Sequence, residues 1–223
     1  MMIMIIGAGG VTSHMLPQLL KMCDSSGKIT VVDGDELEEK NLDRQLFRPQ
    51  DIGKNKAMAL RQLYPQINVE PEYLTERNAK QLFNKYSPDV VFVAVDNHDS
   101  RKLVLDYLDE LEGTVGIFGV NEYFDSQSYC YRAEWMNTRA DPRIRYPEIL
   151  VKSERSPQSC QGESAESTPQ LAIANAMSGC MMMHLFWVHV IKYSEITHPQ
   201  AREELPYDIR RSFTDYRVEN WTI

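Results

Sequence analysis

Gly7, Gly9 and Gly10 stand directly behind the apolar run Met1–Ile6, and Asp33, Asn41, Arg44, Lys56 and Asp96 follow at widening intervals. Residues of these types suit the holding of a phosphorylated ligand. Glycines after a strand let phosphate approach backbone N–H groups at a helix start, because no Cβ stands in the way. Arg44 offers a planar fork and Lys56 a mobile point charge, a mixture that holds phosphates while charge moves onto a leaving group. Asp33, just past a second strand, suits ribose hydroxyls. Asp96 ends a continuous apolar run and suits Mg²⁺, which prefers one or two carboxylates together with phosphate oxygens.

The glycines alone do not select the ligand. A nicotinamide-binding Rossmann unit also has glycines after strand one and an acid after strand two, but its G-x-G-x-x-G pattern wants glycine where this chain has Thr12. The segment Asp51-Ile52-Gly53-Lys54-Asn55-Lys56-Ala57 begins a helix with ammonium groups in its first turn. That is the wrong end for a cation unless an anion lies nearby, and a triphosphate is such an anion. Taken singly, each lysine reads as a surface charge in a helix pair; taken with Asp96, they read as a site. Asp96 and Asn97 could cap the next helix, but so could Asp99 or Ser100, which leaves Asp96 available for chemistry.

The elements that must position these groups alternate. Strand-like stretches near 2–6, 28–33, 67–73, 89–95 and 114–120 are separated by helical patterns near 10–23, 54–64, 76–86 and 98–111, which predicts an α/β, Rossmann-like, doubly wound, mostly parallel sheet. Pro17 lies inside the first helix and predicts a kink or a late start. Ser126 to Trp135 alternates as an antiparallel strand. Residues 137–168 read as an irregular crossover loop, and 195–223 as a charged, aromatic tail. Leu171 to Ile191 carries no charged residue other than histidine. Asn175, Ser178, His184 and His189 interrupt it, so it reads as a long buried C-terminal helix rather than a membrane span, with a subunit interface able to supply part of its cover.

At 223 residues and 43% apolar, the chain suits one domain over 1–223. A net charge of −8 without any basic run argues against nucleic-acid binding. There is no cationic leader, so a cytoplasmic protein is expected. Four scattered cysteines form no C-x-x-C pair, which predicts free thiols and no zinc. Cys130 and Cys180 read as core. Cys160 sits in the irregular segment shortly before a helix, where a partly exposed thiol can react as thiolate; a plain surface thiol fits equally well.

The set Gly7, Gly9, Gly10, Ser13; Asp33, Asn41, Leu42, Arg44, Gln45; Asp51 to Ala57; and Asp96, Asn97, Arg101 resembles the ThiF/MoeB family, which shares its adenylation domain with ubiquitin-activating enzymes. The resemblance covers residues 2–120 and continues more weakly through Ser159-Cys160 and the apolar helix. It implies an ATP- and Mg²⁺-dependent adenylyltransferase acting on the C-terminal carboxylate of a ubiquitin-like or sulfur-carrier protein ending in Gly-Gly, and a homodimer. Positions matching Gly7, Gly9, Gly10 and Ser13 then cradle the α-phosphate side, Asp33 takes ribose, and Asn41, Arg44 and Lys56 take phosphates. Asp96 takes Mg²⁺ beside Asn97, and Cys160 receives the activated carrier. Many relatives supply an arginine from a preceding helix to a neighbouring protomer's site. Here Arg139, Arg143, Arg145, Arg210, Arg211 or a partner subunit would have to do so. Thr12 and Pro17 depart from the family pattern and keep a second reading open, a non-catalytic subunit that pairs with an active relative or a carrier. Activation of a small or tRNA-linked carboxylate is a further alternative.

Overall fold

The computed structural model describes residues 1–23, 28–121, 125–151, 171–193, 206–212 and 218–222. The strands are β1 (Ile3–Ile6), β2 (Ile29–Val32), β3 (Asn68–Glu70), β4 (Val90–Val93), β5 (Val115–Asn121), β6 (Asp125–Tyr131), β7 (Pro206–Ser212) and β8 (Val218–Thr222). The helices are α1 (Gly10–Met22), α2 (Lys56–Leu63), α3 (Ala79–Tyr86), α4 (His98–Leu108), α5 (Pro142–Arg145) and α6 (Ala172–Phe186). All strands form one sheet in the order β3-β2-β1-β4-β5-β6-β7-β8. The first five run parallel, and β6 to β8 add antiparallel to β5.

Every residue of β1, β2 and β4 is buried, which is why β1 and β4 read as unbroken apolar runs instead of alternations, and β2 as one broken only by Thr30. Helices cover both faces. Gly116 of β5 lies against Leu108 of α4, whereas Gly119, three residues on and therefore on the other face, lies against Met182 and Ser178 of α6. α1 packs along α6, with Gly179 set against Val11 and Met15.

Pro17 does not delay α1, which begins at Gly10 and continues to Met22. A helix-interior proline costs about 3 kcal/mol, while each well-buried leucine returns about 1.5–3 kcal/mol. Leu16 and Leu19 flank the proline and are fully buried. Packing therefore outweighs the lost hydrogen bond.

The C-terminal half departs further from expectation. β6 stops at Tyr131, and Ala133–Trp135 forms a 3₁₀ turn in place of more strand. Part of the 137–168 stretch is ordered: Asp141 caps α5 with Pro142 at its first position, and Arg143 donates to Asp109 at 2.6 Å, fastening the segment to the end of α4. Residues 152–170, including Cys160, Thr168 and Pro169, lie outside the described residues. β7 and β8 form where the sequence suggests only a tail. α6 gives way at Trp187 to a π-helical turn ending at Lys192. Its sheet side is buried, but Ile173, Cys180, His184 and Trp187 recur at helical spacing as an exposed stripe. Cys180 is thus exposed, contrary to the core assignment. Cys130 is fully buried, and burial pushes its thiol up to about 12. No described helix is long and apolar enough to cross a membrane.

Candidate active site

The strand order reverses direction between β1 and β4, the switch point at which open α/β sheets leave a crevice beyond their carboxyl ends. Gly7 leaves β1 with φ +94°, and a Cβ there would overlap the carbonyl oxygen of Ala94, just past β4. The buried Thr12 hydroxyl donates to the Gly7 carbonyl at 2.6 Å. At the position where a dinucleotide loop carries glycine, a side chain ties this turn shut. Gly9 is the N-cap of α1, and no side chain caps the helix there, so its first N–H groups have no side-chain acceptor.

Asp33, past the end of β2, accepts from the Ala8 N–H at 2.5 Å and from the Asp35 N–H at 2.7 Å. Burial pushes its carboxyl up to about 6, aided by Asp35, while Lys56 and the two N–H bonds oppose the shift. The folded state therefore binds this proton more tightly than the unfolded chain, whose ordinary value is 3.8. Stability from this group is greatest below pH 4, falls as pH rises towards 6, and is level above. Relative to the parent, Asp33→Asn is expected to gain about 3 kcal/mol between pH 4 and 7, whatever its constant offset. Urea unfolding of both proteins across that range measures it. Parallel pH profiles would show that Asp33 is not the titrating group.

Lys56 opens α2 and donates to Asp35 at 2.9 Å; Asp35 also accepts the Tyr73 hydroxyl at 2.5 Å. Burial raises Asp35, but Lys56 and Tyr73 outweigh it and hold its carboxyl below the usual range. Asn55 caps α2 by accepting from the Met58 N–H, and its amide donates to the Asp33 carbonyl at 2.8 Å. Lys54 instead bonds Asp51 and Gln62, both at 2.9 Å. The two ammonium groups at this helix start therefore already have protein carboxylates as their anions. Lys54 is taken up by structure, while Lys56 stays beside Asp33.

The segment from Asn41 to Leu46 crosses over the glycine loop. Asn41 is 4% exposed, and its side-chain oxygen accepts from the Glu38 N–H at 3.0 Å. The Ser13 hydroxyl donates to the Gly10 carbonyl at 2.8 Å and accepts from the Leu46 N–H at 3.1 Å. Ser13 is thus a tie between two segments. Arg44 Nη1 donates to the Lys40 carbonyl and to Asp43, each at 2.9 Å. Its Nε and the Oε1 of Gln45 are buried without a partner among the described residues.

Asp96 is exposed at the end of β4, with the Asn97 amide 3.4 Å away. Asn97 itself caps α4, accepting from the Ser100 N–H at 2.8 Å, so neither Asp99 nor Ser100 is the cap. Buried Arg101 donates to the Val95 carbonyl at 2.7 Å and fixes this turn. Direct contacts join the glycine loop, Asp33, Lys56 and residues 41–46. Asp96 and Asn97 share their edge of the sheet without a hydrogen bond to Arg44 or Lys56. Arg143 is held by Asp109 and Asp141, and Arg145 by Tyr146 and Asp208, so neither is free to serve a neighbouring site. Arg139 is exposed. Sequence reasoning did not single out Tyr73, which lacks any motif, or Asn175, visible only as an amide inside an apolar run.

An uncapped helix start, a buried guanidinium nitrogen, an ammonium and a carboxylate thus lie on segments tied to one another beyond the carboxyl ends of β1 and β2. The unpartnered Arg44 Nε and the side-chain-free turn fit the phosphates of a nucleotide. The chain matches the ThiF family over residues 1–216. It is 36% identical over 150 residues to the sulfur carrier protein adenylyltransferase of Thermus thermophilus, covering 64% of this chain and 54% of that protein. It is 30% identical over 164 residues to the probable molybdopterin-synthase adenylyltransferase of Porphyra purpurea, covering 70% of this chain and 40% of that protein. The chain thus spans about half the length of these curated relatives. Among solved structures, E. coli MccB with AMPCPP and MccA shares the fold with a TM-score of 0.66 at 19% identity, over 99% of this chain and 63% of that one.

Proposed function

Because the chain belongs to the ThiF family, we propose that it is an ATP-dependent adenylyltransferase that activates the C-terminal carboxylate of a small ubiquitin-like or sulfur-carrier protein. The observation that carries this reading is the buried Nε of Arg44, unpartnered beside a loop whose first glycine has no room for a side chain. An unmet buried donor costs about 1–3 kcal/mol, more on a charged group, and a bound phosphate oxygen would satisfy it. The names of the curated relatives agree with the reading.

In this reading Gly7, Gly9 and Gly10 cradle the α-phosphate side and Asp33 takes the ribose. Arg44 and Lys56 hold the phosphates, with Asn41 shaping their loop and Ser13 fastening it. Asp96, beside Asn97, holds Mg²⁺, which when bound would neutralise phosphate charge. A carboxylate oxygen of the carrier attacks the α-phosphorus, the bond to the bridging oxygen breaks, and pyrophosphate leaves with both electrons. The attacking group is already ionised at neutral pH, so no side-chain base is needed. The protein's task is alignment and charge neutralisation, for which Lys56 exchanges Asp35 for phosphate. The same proposal includes a carrier ending in Gly-Gly, a cytoplasmic homodimer, and Cys160 as the thiol that, after losing its proton, takes the carrier's acyl group from the adenylate as AMP leaves.

Exchange of labelled pyrophosphate into ATP tests the activity. Label is expected to enter ATP only with Mg²⁺ and a carrier present, and Lys56→Ala is expected to slow it about 10²-fold. Tight ATP binding without exchange, for any small Gly-Gly protein supplied, would overturn the proposal in favour of a non-catalytic subunit.

A further inference from the structure

Asn175 is the fourth residue of α6, 1% exposed, in a helix whose other neighbours are almost all apolar. An amide inside a helix is a poor helix former, and burying it is unfavourable unless both its ends are bonded. Here both are. Its oxygen accepts from the Asn121 amide at 2.8 Å, at the end of β5, and its nitrogen donates to the Arg44 carbonyl at 3.4 Å. The third contact is with Gly10, the first residue of α1: a Cβ there would lie 2.5 Å from Asn175 Cγ and 2.7 Å from its Oδ1. Gly10 has no positive φ, so its conformation is open to any residue. What excludes a side chain there is the Asn175 amide.

We propose that Asn175 is a positioning residue of the nucleotide site, setting the Arg44 main chain and the start of α1 at their working distance from helix α6. The proposal rests on the adenylyltransferase reading only in taking ATP as the ligand. The amide is needed because it donates and accepts at once. An aspartate would turn an acceptor towards the Arg44 carbonyl, and a leucine would leave both partners unmet. Arg44 Nη1 is already tied to Lys40 and Asp43 on its own segment, so its carbonyl is where the rest of the fold can govern its placement.

The contact with Gly10 supplies a specific test. Asn175→Ala removes the brace, and Gly10→Ala pushes the amide off it, so each is expected to weaken ATP–Mg²⁺ binding about tenfold, the effect of one lost hydrogen bond to the site. In the double variant the new methyl fills the space the amide has left. Its effect is expected to equal that of either single change rather than their hundredfold product. Calorimetric titration with ATP–Mg²⁺ reads the cycle, with a thermal melt of each protein beside it. A merely structural role would lower the melting temperature and leave the dissociation constant of the folded protein alone. Unchanged affinities in the single variants, or fully multiplicative ones in the double, would overturn the proposal. Should Asn175→Ala not fold, Asn175→Ser takes its place in the same cycle. Binding without exchange in the parent would end the adenylyltransferase reading, and the binding cycle would still decide the role of Asn175.

Discussion

Replacing Asp96 by alanine is expected to slow pyrophosphate exchange by at least about 10²-fold and to leave the unfolding transition unmoved. The two halves of this expectation have separate causes. Asp96 is exposed, and the contact its side chain makes is a long one, 3.4 Å from the Asn97 amide. The turn that presents it is held by others: Asn97 caps α4, and Arg101 grips the Val95 carbonyl. Deleting the carboxylate therefore removes nothing that the fold uses. Its position is what matters, three residues beyond a fully buried strand that neighbours β1 at the switch point. In the proposed reaction Asp96 would hold the metal ion that neutralises phosphate charge. Its loss leaves the developing charge to Arg44 and Lys56 alone. Exchange rates with saturating carrier, read beside a urea unfolding curve, separate the effects. Full activity in Asp96→Ala would show that the metal, if one is used, is held elsewhere.

What the sequence disclosed was decided by whether a signal is local. β1 and β4 are buried on both faces, so each stands out as a continuous apolar run, and β2 is interrupted only by Thr30. The glycine loop and Asp33 are legible because one strand must deliver each of them to the same edge. Pairings between distant segments leave no such trace. Nothing near Lys54 marks it as the partner of Asp51 and Gln62, and nothing near Lys56 shows that it pairs with Asp35, which also takes the Tyr73 hydroxyl. α6 hides its orientation for a different reason. Being apolar all round, it has no polar face to give a phase, so the outward position of Cys180 and the inward position of Asn175 could not be told apart. β7 was missed because its charged sequence pairs through main-chain groups along β6, which composition does not report.

Gly7→Ala and Gly9→Ala are expected to separate the folding task of the loop from its binding task. Gly7 is bolted on both sides: its N–H donates to the Val32 carbonyl at 3.0 Å, and the Ala94 N–H donates to the Ile6 carbonyl at 2.8 Å. Its φ of +94° is one that L-residues avoid, and an added Cβ would overlap the Ala94 carbonyl oxygen and lie 2.9 Å from its carbon. Main chain cannot swing aside as a flexible side chain can, because β1 and β4 are held in register from Ile3–Val90 to Ile6–Val93. Adding a positive-φ penalty of about 1–2 kcal/mol to overpacking of about 1–3 kcal/mol gives a loss of about 2–5 kcal/mol. That is a large part of the roughly 5–15 kcal/mol that keeps a domain folded, so Gly7→Ala should unfold at markedly lower urea and bind no nucleotide. Gly9 has an ordinary φ of −80°, and the nearest atom to a Cβ there is Gln45 Nε2 at 4.0 Å. Gly9→Ala should therefore be within about 1 kcal/mol of the parent in stability. Its methyl nevertheless stands at the uncapped start of α1, where phosphate would approach the N–H groups, so ATP affinity should fall about tenfold or more. Urea unfolding and calorimetry on the same two proteins read both effects. Parent-like stability in Gly7→Ala would contradict the turn geometry, whereas parent-like ATP affinity in Gly9→Ala would remove the phosphate cradle and leave the fold untouched.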